Sequence, residues 1–343
     1  MKAIVKATPA PGLVYQECPI PQPKENEVRI KIHTTAICGT DIHIYNWDSW
    51  SQKNVPTPLI IGHEFMGQID QVGAKVTRYK VGDRVSGEGH LTCGLCHNCR
   101  NGQRHLCAHP RGVGYHVPGC FAEYFVLPEE NVVLLPNTIP DDVAAILDPL
   151  GNAVHTALSF DLAGEDVLIT GAGPLGLLAT AVSRQAGARY VVVTDHNDYR
   201  LSIARKVGAS ATVFVPKESI SDTMQRLGME SGFEVGLEMS GSFPGLSDLL
   251  QHLQPGGRVG LLGILPPGGT IDWDQVIFKM LTIKGIYGRE IFRTWDKMLH
   301  LLQSGLDVTP IITHRFPGRE FQKGFDVMMS GQSAKVLLDW EGA

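Results

Sequence analysis

One stretch of this chain, Gly171-Ala172-Gly173-Pro174-Leu175-Gly176, constrains its fold more than any other. It follows the apolar run Val167–Thr170 and leads into Leu175–Ala186, which has helical spacing. Glycines at these intervals permit a tight turn and let the backbone approach a pyrophosphate. The helix start behind them offers unpaired N–H groups and a positive dipole end. A second strand, Tyr190–Thr194, runs into Asp195, 24 residues beyond Gly171. An acid there accepts hydrogen bonds from adenosine ribose hydroxyls and repels a 2′-phosphate, so the pattern predicts NAD rather than NADP. Arg200 is either a residue of the adenosine side or an ordinary solvated helix residue.

The same texture continues downstream. Ala211–Val215, Val235–Met239, Val259–Leu262 and Thr282–Ile286 are short apolar strands separated by helical stretches. Such alternation predicts βαβ units and a doubly wound parallel sheet, a Rossmann arrangement within an α/β chain. Ligands lie at the carboxyl ends of these strands. Leu175 on the fingerprint helix, Leu262-Gly263-Ile264 after the fifth strand and Ile286-Tyr287 after the sixth are therefore candidates to line the nicotinamide. Plain sheet core is the competing reading for Leu262 and Ile286.

The front of the chain differs. Ala3–Val5, Glu27–His33, Glu64–Val72 and Asp83–Ser86 are β-rich, with long loops at 41–58 and 88–119 that need something to hold them. Seven cysteines occur in 343 residues, and four lie at Cys93-x2-Cys96-x2-Cys99-x7-Cys107. That spacing supplies four thiolates to one tetrahedral zinc, a closed site with a structural role. Arg100 and Arg104 either offset thiolate charge or are solvated. Cys18 and Cys120 read as small core residues. With 30 basic and 35 acidic residues the net charge is −5, which offers no basic field for nucleic acid or anionic lipid. The longest uncharged run, 167–183, is too short and too broken by glycine and proline to span a membrane. The N-terminus lacks the apolar core of a signal peptide, and an intracellular protein is expected.

Cys38, in Cys-Gly-Thr-Asp-Ile-His, and His63-Glu64 lie outside the cysteine lobe. A thiolate, an imidazole and a carboxylate suit zinc, and three ligands leave a position open for substrate. Taken singly, each would be an ordinary structural residue. With the four-cysteine lobe and the Gly171–Gly176 fingerprint, however, these motifs resemble the zinc-dependent medium-chain alcohol dehydrogenases over essentially the whole chain. The stretches AICGTDIHIYNWDSWSQ, GEGHLTCGLCHNCR, GCFAEY, DPLGNAVHTALSFDL, GLEMSG and KGIYGRE are similar to members that act on L-threonine.

The resemblance implies a GroES-like β-rich catalytic domain over 1–147, with its zinc lobe at 88–119. It implies an NAD-binding Rossmann domain over 148–292 and a return of 293–343 to the catalytic part. It implies one catalytic zinc on Cys38, His63 and Glu64, one structural zinc, and a cytoplasmic homotetramer with no nucleic-acid or membrane partner. The implied reaction takes L-threonine and NAD to 2-amino-3-oxobutanoate and NADH. Oxidation of a polyol or 2,3-butanediol is the rival within the family; a non-catalytic NAD- and zinc-binding protein is the rival outside it. Many members carry a cysteine ligand where this chain has Asp148. Here the resemblance implies a tuning and proton-relay acid, against a direct ligand or a helix N-cap before Pro149. Thr40 and His43 are implied as the relay that carries the substrate's proton to solvent. Without the resemblance they would read as a turn-capping hydroxyl and a surface loop residue.

Overall fold

The computed structural model describes residues 1–215 and 217–340. These divide into two compact units. The first holds Met1–Asp148, Glu290–Trp295 and the described residues from Ile312 onward; the second holds Pro149–Arg289 and Asp296–Ile311.

The first unit is built on a seven-stranded sheet. Its organising strand is Glu27–Ala36, where Val28, Ile30 and Ile32 alternate inward as a half-buried strand requires. One edge pairs with Phe65–Val72. The other edge is shared: Glu27–Lys31 pairs with Tyr124–Pro128, and Thr34–Ala36 pairs with the last strand, Lys335–Asp339. That second pairing brings the end of the chain beside its beginning. The core includes Phe65, Phe121, Phe125, Phe325 and Trp340.

The loop expected at 41–58 contains two short helices, Gly39–Asn46 and Ser49–Asn54. The first buries only Asp41 and Ile44, so no apolar stripe announced it. Its start is held instead by Asp41, whose Oδ2 accepts the Cys38 N–H at 2.8 Å. The second is capped by Asp48, whose Oδ1 accepts the Ser51 N–H at 2.9 Å. The loop at 88–119 is pinched at its base by a two-stranded ladder, His90–Leu91 against Arg111–Gly112.

The second unit is a six-stranded, fully parallel sheet. The strand order is Ala211–Phe214, Tyr190–Asp195, Asp166–Thr170, Phe233–Glu238, Leu253–Leu261, Thr282–Gly285. The order reverses direction at Asp166–Thr170, which places a topological switch point where the glycine turn begins. Residues 296–311 group with this unit, so the expected return of the tail over 293–343 is only partial. The turn Thr309–Ile311 packs on helices Pro174–Gln185 and Asp198–Lys206, burying Ile311 there. No helix among the described residues is long and apolar enough to cross a membrane.

Candidate functional site

Cys38, His63 and Glu64 converge. Each offers a ligand atom, and all three atoms lie within 4.8 Å of one another. Cys38 is the N-cap of Gly39–Asn46 in extended conformation; His63 and Glu64 immediately precede Phe65–Val72. Gly62, at φ +90°, makes the turn into that pair, and a Cβ there would sit 2.1 Å from the Phe121 ring.

The cluster is largely buried and rich in acceptors. Asp41 and Glu64 are fully or almost fully buried. Among the described residues, Asp41 Oδ1, His63 Nδ1 and Glu64 Oε1 are buried with no hydrogen-bond partner. His63 Nδ1 lies 3.9 Å from Asp41 Oδ1. Burial works against an imidazolium at His63, yet Cys38, Asp41 and Asp148 around it raise its pKa to about 10. Surroundings this anionic favour a cation. A thiol, an imidazole and a carboxylate with an uncommitted oxygen fit a zinc ion with an open position.

Glu64 has a partner that sequence reasoning missed. Lys335 Nζ, at the start of the last strand, donates to Glu64 Oε2 and to the Ile37 carbonyl, the latter at 2.9 Å. Both side chains are almost fully buried. Burial opposes the Lys335 ammonium, but Glu64 and Cys38 outweigh it and hold its pKa above the ordinary lysine value. Glu64 thus spends one oxygen on Lys335 and keeps Oε1. Nothing in the pattern around 335 announces this pairing.

Asp148 lies outside the three-residue cluster. It sits in the first turn of helix Leu147–Ala157 rather than at its N-cap, which removes the capping reading. A Cβ on Gly89 would lie 3.8 Å from Asp148 Oδ2 and 3.7 Å from His63 Cβ, so the carboxylate flanks the histidine. Thr40 Oγ1 is 3.8 Å from Cys38 Sγ. His43 lies on the same short helix, with Nδ1 2.6 Å from Asp48 Oδ2. Asp41 and Asp48 were missed as site residues. Their signal was a carboxylate three residues after Cys38 and another just before Ser49.

In the lobe, the ligand atoms of Cys93, Cys96, Cys99 and Cys107 also lie within 4.8 Å of one another. Backbone N–H groups of Cys93 and His109 donate to Cys107 Sγ at 3.3 and 3.4 Å, an arrangement suited to thiolates. Donors from Ala108 and Cys99 lower Cys96 to about 6, while burial pushes Cys99 up to about 12. All four are free thiols, and four sulfurs at this spacing fit a closed zinc site. Arg104 does not serve them: it donates to Thr92 Oγ1 and pairs with Glu130. Cys120 is a buried core residue whose Sγ is 3.6 Å from the Glu64 carbonyl.

The glycine turn of the second unit has the geometry a dinucleotide needs. Gly171 has φ +94°, and a Cβ on Gly176 would sit 1.8 Å from the Gly171 carbonyl. Gly173 is the N-cap of Pro174–Gln185, without a side-chain cap, and a Cβ there would meet nothing within 4 Å. The helix start is therefore open for a phosphate. Asp195, at the end of its strand, accepts the Ala172 N–H at 2.6 Å and the Asn197 N–H at 2.8 Å. Leu175 is half-buried near the helix start, and Arg200 is half-buried on Asp198–Lys206. Leu262, Gly263 and Ile264 follow the fifth strand, with Ile264 92% exposed; Ile286 is buried and Tyr287 exposed after the sixth.

Another missed acid, Glu238, organises this edge. It is fully buried and accepts N–H groups of Ser240 and Gly241. Its main-chain carbonyl accepts the Leu262 and Gly263 N–H groups at 3.1 and 3.0 Å.

Comparison with known proteins identifies the family. Residues 24–137 match the alcohol dehydrogenase GroES-like domain, and 174–304 match the zinc-binding dehydrogenase domain. The chain is 60% identical to an L-threonine 3-dehydrogenase of Protochlamydia amoebophila (strain UWE25), covering 99% of this chain and 100% of the relative. Among solved structures it is similar to galactitol-1-phosphate dehydrogenase from Escherichia coli, with 28% identity, TM-score 0.91, and 99% and 100% coverage. It is also similar to a protein described as a short chain alcohol dehydrogenase from E. coli CFT073, complexed with NADH, with 27% identity, TM-score 0.89 and 99% coverage of both chains.

Proposed function

The chain belongs to the zinc-containing alcohol dehydrogenase family, and on that premise we propose that it oxidises L-threonine at C3 to 2-amino-3-oxobutanoate with NAD. The observation that carries this reading is the Cys38–His63–Glu64 cluster, three candidate ligands for one ion, in a chain that also has a dinucleotide turn. The 60% identical relative, named L-threonine 3-dehydrogenase, supplies the substrate.

When bound, zinc supplies Lewis acidity that makes an alcohol hydroxyl acidic at neutral pH, and NAD supplies the hydride acceptor. Cys38, His63 and Glu64 hold the ion, and Lys335 holds Glu64. Cys93, Cys96, Cys99 and Cys107 hold the structural ion. Thr40 receives the substrate's hydroxyl proton on its Oγ1 and passes one on toward His43, which releases it to solvent. Asp148 orients and tunes His63 from its flank. Gly171, Gly173 and Gly176 receive the pyrophosphate, Asp195 the adenosine ribose, and Arg200 the adenosine side. Leu175, Leu262, Gly263, Ile264, Ile286 and Tyr287 line the nicotinamide.

The reading extends to a cytoplasmic homotetramer. Seven free cysteines suit a reducing compartment. The edge strand Thr282–Gly285 and the exposed Trp273, Ile277, Phe278 and Met280 just before it offer an apolar surface to a second copy.

Growth of NADH absorbance with L-threonine, sorbitol and 2,3-butanediol, before and after chelation, tests the assignment. Turnover of L-threonine alone, lost on chelation and restored by zinc, is expected. Faster turnover of sorbitol or 2,3-butanediol overturns the substrate, and undiminished turnover by folded, metal-free protein overturns the chemistry.

A further inference from the structure

His43 lies on helix Gly39–Asn46 and Asp48 caps the next, Ser49–Asn54, across a corner at Trp47, which has φ 55°. The corner is held from below by Lys6, whose Nζ is 4.8 Å from the Trp47 ring centroid and donates to the Gly12 carbonyl at 3.1 Å. Across it, His43 Nδ1 comes within 2.6 Å of Asp48 Oδ2. The carboxylate is itself fixed: its other oxygen accepts the Ser51 N–H at 2.9 Å and the Ser51 hydroxyl at 3.0 Å. Ser51 is fully buried, whereas the His43 side chain is 61% exposed. Trp50 flanks the imidazole, with ring centroids 6.4 Å apart.

We propose that Asp48 is a positioning residue for proton release: by accepting the His43 Nδ1–H it fixes the imidazole in the tautomer whose Nε2 is free to accept the substrate's proton. An ionised carboxylate only accepts hydrogen bonds, so the proton between these atoms belongs to Nδ1. Burial opposes that ionised form, but the donors from Ser51 and His43 hold Asp48 below the ordinary carboxylate range. In the neutral ring, the nitrogen left without a proton is Nε2. When it accepts a proton from Thr40, through whatever hydroxyl lies between, the ring becomes an imidazolium facing the Asp48 carboxylate. Loss of one proton to water restores the starting tautomer. The ring's position also follows from Asp48, because the anchored carboxylate and the Trp50 ring leave an otherwise exposed side chain in one place. The proposal rests on the reading of His43 as the proton acceptor.

Asp48→Asn is the informative substitution. Its amide oxygen can keep the Ser51 hydrogen bonds, and Asn caps a helix as well as Asp does. Its NH₂ group then donates toward Nδ1 and drives the proton to Nε2, which inverts the tautomer. Asp48→Asn, His43→Ala and the double variant are compared by steady-state kinetics with L-threonine and NAD, with zinc content measured for each. The expected result is a fall in kcat of about 100-fold in each single variant, at the low end of the range of a lost acid–base contribution. KM values and zinc content stay unchanged, added imidazole restores part of the rate, and Asp48→Asn costs nothing more in the His43→Ala background. A wild-type kcat in Asp48→Asn alongside a slow His43→Ala overturns the role of Asp48 and leaves the relay standing. A wild-type kcat in His43→Ala overturns the relay reading itself. An equal loss from Asp48→Asn with and without His43, or loss of zinc, makes Asp48 a structural cap only and overturns the proposal.

Discussion

Replacing Lys335 by Met removes the ammonium that donates a hydrogen bond to a buried carboxylate. The Glu64 and Lys335 side chains are 0% and 2% exposed, so water cannot take over the role of the ammonium. Breaking a buried pair from one side costs about 3–5 kcal/mol, most of it the penalty of the stranded charge. For a unit of this size each kcal/mol moves the melting temperature by about 2–4 °C, which predicts a fall of roughly 6–20 °C for Lys335→Met. Replacing Glu64 by Gln in the same chain removes the stranded charge. The double variant should regain most of the loss, short of about 1 kcal/mol for the hydrogen bond Lys335 gives the Ile37 carbonyl. Calorimetric melting of wild type, both single variants and the double variant, all freed of metal at the Cys38–His63–Glu64 cluster, closes the cycle and isolates the pair's coupling. A shift below about 2 °C in Lys335→Met, or a double variant no more stable than it, refutes the argument that the two groups sustain each other.

Three further outcomes follow from the same structure. Cys38→Ser should abolish turnover with L-threonine while NADH binding, read by fluorescence, persists; loss of NADH binding would show that this cluster serves the fold rather than the chemistry. Asp195→Asn removes the charge opposing a 2′-phosphate and should raise kcat/KM for NADP relative to NAD by about tenfold, the equivalent of about 1.4 kcal/mol; an unchanged ratio removes Asp195 from cofactor selection. Burial lowers the pKa of Lys6 to about 8, from 10.5 unfolded. Between those values the unfolded chain binds the extra proton, so stability gains from Lys6 as pH rises from about 8 to about 10.5 and the gain is absent below 8. The melting temperature of wild type should therefore rise relative to Lys6→Met over that window, and a flat difference contradicts it.

Local rules made much of this molecule legible in its sequence. The glycine turn at 171–176, Asp195 and the four-cysteine spacing act within a few residues or one βαβ unit, and the backbone geometry they require is tied to residue type. Gly176 can be nothing larger where 1.8 Å separates its Cβ position from the Gly171 carbonyl. The helices at 39–54 were missed because Asp41 and Asp48 hold their ends where no apolar period exists to be read. Only the tertiary structure decided that residues 296–311 stay with the parallel sheet. It alone set Lys335 against Glu64, 271 positions away, and Asp48 against His43. Such partners are chosen by strand pairing and chain corners, because a buried charge needs an opposite charge nearby in space and is indifferent to how far along the chain it comes from.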